Sequence, residues 1–297
     1  MTTTTRAPGT QTPATTGRTT SASTRALRHN LATYLFLLVG AAVTIFPFVI
    51  VIFTAFKTDN QVYTTDPWLP SSDPTLGTVR EAIEVRKVLH HLQNTVIFAV
   101  TCTIGQVIFS TTAAYAFAKL RFPGRNAIFV AYLATLMVPN VVTLIPTYVI
   151  VNELGLVDTF WGLILPFSLG TPFGIFLMRQ FFQTIPNELL EAARVDGSST
   201  VSTFWRIVLP ISKTMILTLA VVTFVASWNQ YLWPLIVTSS DTRQVLTVAA
   251  ASLTGSNDFN YALTMAFALI ATLPLVLLYA VFQRQIVNSI ALSGLKS

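Results

Sequence analysis

Six runs of apolar residues constrain this chain before anything else does. They lie at residues 31–56, 95–118, 127–151, 160–178, 214–237 and 261–282. Each is near the roughly 20 residues that a helix needs to cross the hydrocarbon core of a bilayer. Lipid offers no partner to a backbone N–H or C=O, so spanning segments of this length are expected to be helical, which makes the fold class all-α. Only 10% of the residues are charged and 53% are hydrophobic, against roughly 25% charged in an ordinary soluble domain. Such a chain cannot cover a water-facing surface, and the expectation is a polytopic membrane protein with six transmembrane helices. The fourth run is the least regular, because Pro166, Gly170, Pro172 and Gly174 interrupt it. Pro47 interrupts the first, which a membrane helix tolerates.

Six spans put both ends of the chain on one side, and lysine and arginine choose the side. Thirteen basic residues fall in the N-terminal tail, the second-to-third and fourth-to-fifth connections and the C-terminus; five fall on the opposite side. Both termini are therefore expected in the cytoplasm of a cell whose plasma membrane holds the chain. The net charge of +6 is accounted for by this orientation, not by a nucleic-acid partner. Residues 1–30 form a Thr/Ser-rich tail expected to be disordered. No signal peptide is expected, since the first apolar run exceeds the roughly 7–15 residues of a signal core. The first span is assigned to 31–56, an extracytoplasmic loop to 57–91, a membrane-embedded core to 92–284 and a C-terminal tail to 285–297. In the outer loop, prolines at 67, 70 and 74 break the chain into turns, and 79–92 has the pattern of an amphipathic helix. That loop and the one at 238–260 either cap the spans or receive a soluble partner.

The apolar runs carry essentially no ionisable residue at depth, where such groups mark catalysis or proton relays. No phosphate-binding glycine loop, no H-E-x-x-H and no Ser/His/Asp or Cys/His set is present. A single cysteine, Cys102, excludes an internal disulfide and a cysteine-built metal site. His90 and His91 point about 100° apart on a helix and read as an interfacial pair, not as metal ligands. The chain thus has neither a catalytic site nor an energy source of its own, and no metal or cofactor is expected in it.

One polar segment stands apart: Glu191-Ala-Ala-Arg-Val-Asp-Gly197, followed by Ile207-Val-Leu-Pro210. Pro186 suits a helix's first turn, Glu188 suits the positive end of its dipole, and Gly197 suits a C′ stop. The expectation is a helix of about three turns outside the bilayer, a turn, and re-entry near Pro210. E-A-A, three residues, G, nine residues and I-x-L-P resembles the cytoplasmic loop signature of permease subunits of binding-protein-dependent ABC importers. Glu191, Ala192, Ala193, Gly197, Ile207, Leu209 and Pro210 carry the match. Leu136-Met-Val-Pro139, Gly174-Ile-Phe-Leu-Met-Arg-Gln-Phe-Phe182, Ser227-Trp-Asn-Gln-Tyr-Leu-Trp-Pro234 and Ala271-Thr-Leu-Pro274 are similar to the carbohydrate-uptake subfamily. More narrowly, they resemble the G-type subunit of maltose-like transporters.

The resemblance implies a type I (MetI-like) importer fold and a coupling loop at 181–212. It also implies a second homologous permease, an ABC ATPase dimer that uses ATP, and an extracytoplasmic solute-binding protein. In such a loop Glu191 offers an acceptor to a partner or pairs with Arg194 three residues on, and small Ala192 and Ala193 let a partner's groove close over them. For the path of a sugar or sugar derivative, Trp228, Asn229 and Tyr231 are candidates, with lining or helix packing both open for Trp228 and Asn229. Trp233 reads as an interfacial anchor. Thr101, Thr103, Gln106, Ser110, Thr111 and Thr112 either line a path or bond between helices. A stand-alone secondary transporter or channel is the alternative; an intramembrane enzyme lacks candidate groups.

Overall fold

The computed structural model describes residues 21–254 and 260–294, with side chains from 33 to 254 and from 260 to 283. In chain order the helices are α1 (Ser21–Ala55), α2 (Asp59–Thr64), α3 (Gly77–Glu84), α4 (Val88–Lys119), α5 (Arg125–Ala134), α6 (Asn140–Glu153), α7 (Phe160–Ser168) and α8 (Pro172–Gln183). There follow α9 (Asn187–Val195), α10 (Thr200–Thr203), α11 (Leu209–Ile211), α12 (Lys213–Trp228), α13 (Leu232–Val237), α14 (Leu246–Thr254) and α15 (Tyr261–Gly294). A 3₁₀ turn at Thr135–Met137 and a π turn at Phe204–Val208 complete the regular structure. Among the described residues every regular element is helical, as the apolar runs require.

The chain divides into two units, Met1–Ile50 and Val51–Ser297. In the first, α1 is already helical at Ser21, so residues 21–30 do not belong to an irregular tail; residues 1–20 lie outside the described residues. The tail expected at 285–297 is helical up to Gly294, with 295–297 outside the described residues.

Among the described residues four helical segments are long and apolar enough to cross a bilayer: Thr33–Ala55, Val88–Lys119, Phe160–Gln183 and Tyr261–Gln283. Two bent pairs raise the number to six if each pair is one crossing: Arg125–Met137 with Asn140–Glu153, bent by 101°, and Thr200–Ile211 with Lys213–Trp228, bent by 78°. The first bend falls inside the expected third run and the second at Ser212, just ahead of the expected fifth, while the fourth, with its four breakers, passes as one span. At the third, Pro139 forces Val138 out of the helical region (ψ 117°) and itself takes ψ 135° as the N-cap of α6. Along 214–237 the helix stops at Trp228 and restarts at Leu232.

α4 has 32 residues, about 48 Å at 1.5 Å per residue, and packs against α7, α8, α12 and α14. It touches three apolar cores in turn. Val88 joins Leu246, Leu263 and Phe267; Phe98 and Cys102 join Leu163, Trp233 and Val237; Ala114 and Tyr115 join Met178, Phe182, Leu190 and Phe204. The break at 169–171 in α7–α8 leaves backbone acceptors that neighbouring helices satisfy. Gln106 Nε2 donates to Phe167 O at 2.6 Å, Tyr132 Oη to Gly170 O, and Trp233 Nε1 to Leu163 O at 3.1 Å. Trp233 is thus a core residue, 1% exposed, and not the interfacial anchor its position suggests. Gly105 makes the crossing close enough: a Cβ there would sit 2.3 Å from Ser168 O.

At the Val88 end of α4, the expected helix at 79–92 is divided. α3 ends at Glu84, and Lys87 takes a left-handed φ of +49° before α4 begins. Lys57 is fully buried there, its Nζ donating to Asp66 O at 2.7 Å. The segment between α13 and α14 is pinned to α4. Asn94 Nδ2 donates to Thr242 O and Gln244 O, His90 Nε2 lies 2.9 Å from Thr242 O, and His91 Nδ1 lies 3.2 Å from Gln244 O. The histidine pair is a loop clasp. A second clasp centres on Asp158, whose carboxylate accepts from Ser239 N, Ser240 N and Ser240 Oγ at 2.9–3.0 Å. The backbone N–H of Ser240 is the main reason this carboxyl is held below its usual range, aided by the Ser240 hydroxyl, Ser239 and the charge of Arg243.

Two expectations follow. Gly105→Ala forces α4 away from Ser168 and destabilises by about 1–3 kcal/mol, the usual cost of overpacking; a melting temperature in detergent equal to that of the unmodified protein would contradict the contact. The Asp158 clasp is formed by the ionised carboxylate, so its contribution is present above the ordinary carboxyl pKa of about 3.9 and lost as pH falls through the depressed folded value. The stability gap between the native protein and Asp158→Asn should therefore be widest near neutral pH and close on acidification. Thermal unfolding across a pH series measures it, and a pH-independent gap would refute the clasp.

Candidate functional site

The polar segment lies at the Lys119 end of α4. Ile185-Pro186 sets its start: Pro186 takes extended φ −57°, ψ 137° and serves as the N-cap, one position ahead of the first turn. Lys119, the last residue of α4, reaches across to donate to Ile185 O at 2.6 Å and Asn187 Oδ1 at 2.9 Å. α9 then runs for nine residues, about two and a half turns, and ends in a Schellman motif. Gly197 N–H bonds Arg194 O, Ser198 N–H bonds Ala193 O, and Gly197 takes φ +80°, where a side chain is strained.

α9 has two faces. Leu190 and Ala193 turn inward, Leu190 into the core with Phe182, Ile185 and Phe204. Ala193 is therefore not available to a partner, which corrects the expectation for the alanine pair; Ala192 is exposed. The outward face carries Glu188, Leu189, Glu191, Ala192 and Val195, with Val195 89% exposed. Among the described residues Glu191 makes no hydrogen bond or ion pair, so its pairing with Arg194 is not formed and its carboxylate remains open. Leu189 and Val195 went unremarked in the sequence, although their spacing with Ala192 places three apolar residues along one side of a short helix.

The second half of the motif is a bend. Ser199 Oγ caps α10 by accepting from Ser202 N. In the π turn the N–H of Leu209 reaches back five residues to Phe204 O, so the chain gains a residue just before Pro210, which has no N–H to give. Phe204 and Val208 enter the core, Trp205 points out, and Ile207 and Leu209 are half-buried. Ser212 is buried, with both N and Oγ donating to Val208 O, at the 78° bend where α12 departs. Pro210 is exposed at the start of α11.

The candidate path residues flank the α12–α13 break and do not form one cluster. Trp228 is buried and stacks on Phe224 at 5.5 Å. Asn229 is exposed, with its amide returned to Val225 O at 2.8 Å. Tyr231 is 37% exposed, and Gln230 O accepts from Thr247 Oγ1. In α4, Thr103, Thr111 and Thr112 bond their own helix's carbonyls, and Gln106 caps Phe167. Ser110 Oγ is buried without a partner where α4 crosses Gly174. Of the α4 polar set only Thr101 is both exposed and free of such bonds among the described residues.

Residues 106–291 match the family described as "Binding-protein-dependent transport system inner membrane component". The chain is 34% identical over 272 residues to the sn-glycerol-3-phosphate transport system permease protein UgpE of Brucella abortus (strain 2308), covering 88% of this chain and 95% of that one. It is equally similar to the UgpE protein of Yersinia pestis bv. Antiqua (strain Antiqua), 34% over 266 residues, covering 86% and 94%. A solved bacterial ABC transporter involved in the import of the acidic polysaccharide alginate shares the fold. Its TM-score is 0.76 at 21% identity, with 90% of this chain and 99% of that chain covered.

Removing the Lys119 clamp separates its structural role from that of the outward face. Lys119→Met leaves Ile185 O and Asn187 Oδ1 without their donor, a loss of about 1–3 kcal/mol for a charged hydrogen bond. Faster amide exchange in α9 is expected, with the centre of α4 unchanged; unchanged exchange in α9 would refute the clamp.

Proposed function

The chain belongs to the family of binding-protein-dependent transport system inner membrane components, and from that premise we propose that its cargo is a sugar or sugar derivative, driven by a partner's grip on α9. As an ABC importer permease it is not an enzyme: ATP hydrolysis belongs to a separate ATPase, and a solute-binding protein delivers the cargo. ATP is thus the partner's ligand, and this chain needs no cofactor of its own. The cargo class rests on the carbohydrate-type motifs and on relatives named for sn-glycerol-3-phosphate transport.

The observation that carries the coupling role is the construction of α9. Its inner face is rooted by Leu190 and Ala193, its start is held by Lys119, and its outer face offers the unpaired Glu191 beside the exposed Leu189 and Val195. Apolar side chains left in water beside a free carboxylate suit a protein partner. An ATPase that binds this face differently in its open and closed states would shift the balance between inward- and outward-facing arrangements by that difference alone. The hinge from Phe204 to Ser212 gives the spans a place to rotate.

A second, homologous permease would complete the path. The 135–139 break leaves Leu136, Met137 and Val138 exposed, Met137 by 84%, and irregular backbone at membrane depth is tolerated only where protein or a water-filled cavity covers it. The same reasoning supports Asn229 and Tyr231, at the α12–α13 break, as path residues with Trp228 behind them. Both termini lie in the cytoplasm by the thirteen-to-five division of basic residues.

Glu191→Ala and Gly197→Val test the coupling. In proteoliposomes of the complete transporter both should still insert, and uptake should fall about tenfold or more, the equivalent of about 1.4 kcal/mol of lost contact. Binding-protein-stimulated ATP hydrolysis should fall with it. Full uptake by both variants would sink the coupling role, and uptake by the chain without any ATPase would favour a stand-alone transporter.

A further inference from the structure

Where α4 gives way to α5, the chain makes an open hollow of about 500 Å³ lined by Arg121, Phe122, Gly124, Arg125, Asn126 and Ala127. Its charge is not neutralised. Arg121 makes no hydrogen bond or ion pair among the described residues. Arg125 spends Nη1 on Leu120 O at 3.0 Å and, among the described residues, makes no further hydrogen bond or ion pair. Arg179 of α8 stands close enough to repel Arg125, with its guanidinium 4.1 Å over the Phe129 ring and its Nε on Phe117 O. No carboxylate pairs with any of the three arginines among the described residues. Arg121 and Arg125 share the lining of the hollow and Arg179 adds its charge beside Arg125, so the unpaired positive charge there favours an anion.

The surroundings distinguish the kind of anion. Ile128, 52% exposed with its Cδ1 over Gly124, and the exposed Phe122 stand at the lip of the hollow. A charged hollow with apolar side chains at its lip fits an amphiphile, with a headgroup at the arginines and acyl chains over Phe122 and Ile128. Guanidinium groups match phosphate oxygens in paired geometry. α5 adds to this, since its first turn carries no acidic residue and no side-chain cap.

We propose that this hollow binds the phosphate headgroup of an anionic phospholipid, seated through Arg121 and Arg125. The proposal rests on the reading that this end of the bundle faces the cytoplasmic leaflet.

The test is native mass spectrometry of the complete transporter in detergent, titrated with phosphatidylglycerol, with phosphatidylcholine and with inorganic phosphate alone. Phosphatidylglycerol should be retained in preference to phosphatidylcholine. Arg121→Gln should weaken that retention about fivefold, and Arg121→Gln with Arg125→Gln by about that factor again, on the scale of one basic residue at an anionic surface. Lys213→Gln, a cation outside the hollow, should not. Equal retention by the double variant, or equal retention of phosphatidylcholine, overturns the proposal. Displacement of the lipid by millimolar phosphate also overturns it, since that marks a site for a soluble anion. Arg121→Gln alone spares the Arg125–Leu120 bond, so loss of fold cannot mimic the result. Orientation is read separately by labelling a cysteine at Asn126 with an impermeant maleimide in intact cells and in inverted vesicles. Labelling from outside would overturn the leaflet assignment while leaving lipid retention in detergent unchanged.

Discussion

Everything in the permease unit depends on the crossing of α4 with the broken α7–α8 pair. A helix interrupted inside a bilayer leaves backbone carbonyls that water cannot reach, each costing several kcal/mol if left alone. Here Gln106 and Tyr132, from two different helices, supply donors to Phe167 and Gly170, and Trp233 adds one to Leu163 within α7. They do so because Gly105 lets the α4 backbone approach Ser168 at a distance no side chain would allow. The break is thereby turned into a junction, and α4 becomes the common frame of the unit.

That frame joins two dissimilar ends. At one, Asn94 and the histidine pair hold the α13–α14 segment, next to α3 and the buried Lys57. At the other, Lys119 holds the entry of α9, while Leu190 anchors it in the same core as Ala114 and Tyr115 of α4. α9 is therefore tied to α4 through a charged hydrogen bond and a packed contact. The bend at Phe204–Ser212, with its π turn, proline and buried serine, lies on the chain between α9 and the next membrane helix.

How far this was legible in the sequence varies with the physical origin of each feature. Helix content and the number of apolar runs follow from length and the absence of charge, and these stand. The Gly197 stop follows from a conformation that only glycine adopts without strain, and it too is found. The breaks were harder. Four breakers made 160–178 look doubtful, whereas a single Val138-Pro139 pair produced the 101° bend. A proline or glycine removes local hydrogen bonds, but whether the axis bends depends on what receives the freed groups, and those receivers lie far away in sequence. Ala193 and Trp233 misled for the same reason. Their residue types permit either an exposed or a buried role, and only the neighbours contributed by other helices decide.

By itself, the sequence determined the all-helical membrane class, the uneven distribution of basic residues among the connections, and the polar helix that Gly197 ends. Those properties depend on short-range chemistry: the solvation of apolar surface, the cost of charge in lipid, and the backbone freedom of glycine. Only the tertiary structure decided which face of α9 is free, that Lys119 clamps it, where the helices bend, and that Arg121 and Arg125 line one hollow with no carboxylate paired to them among the described residues. Each of these is a relation between segments distant along the chain, and packing sets it where no local propensity does.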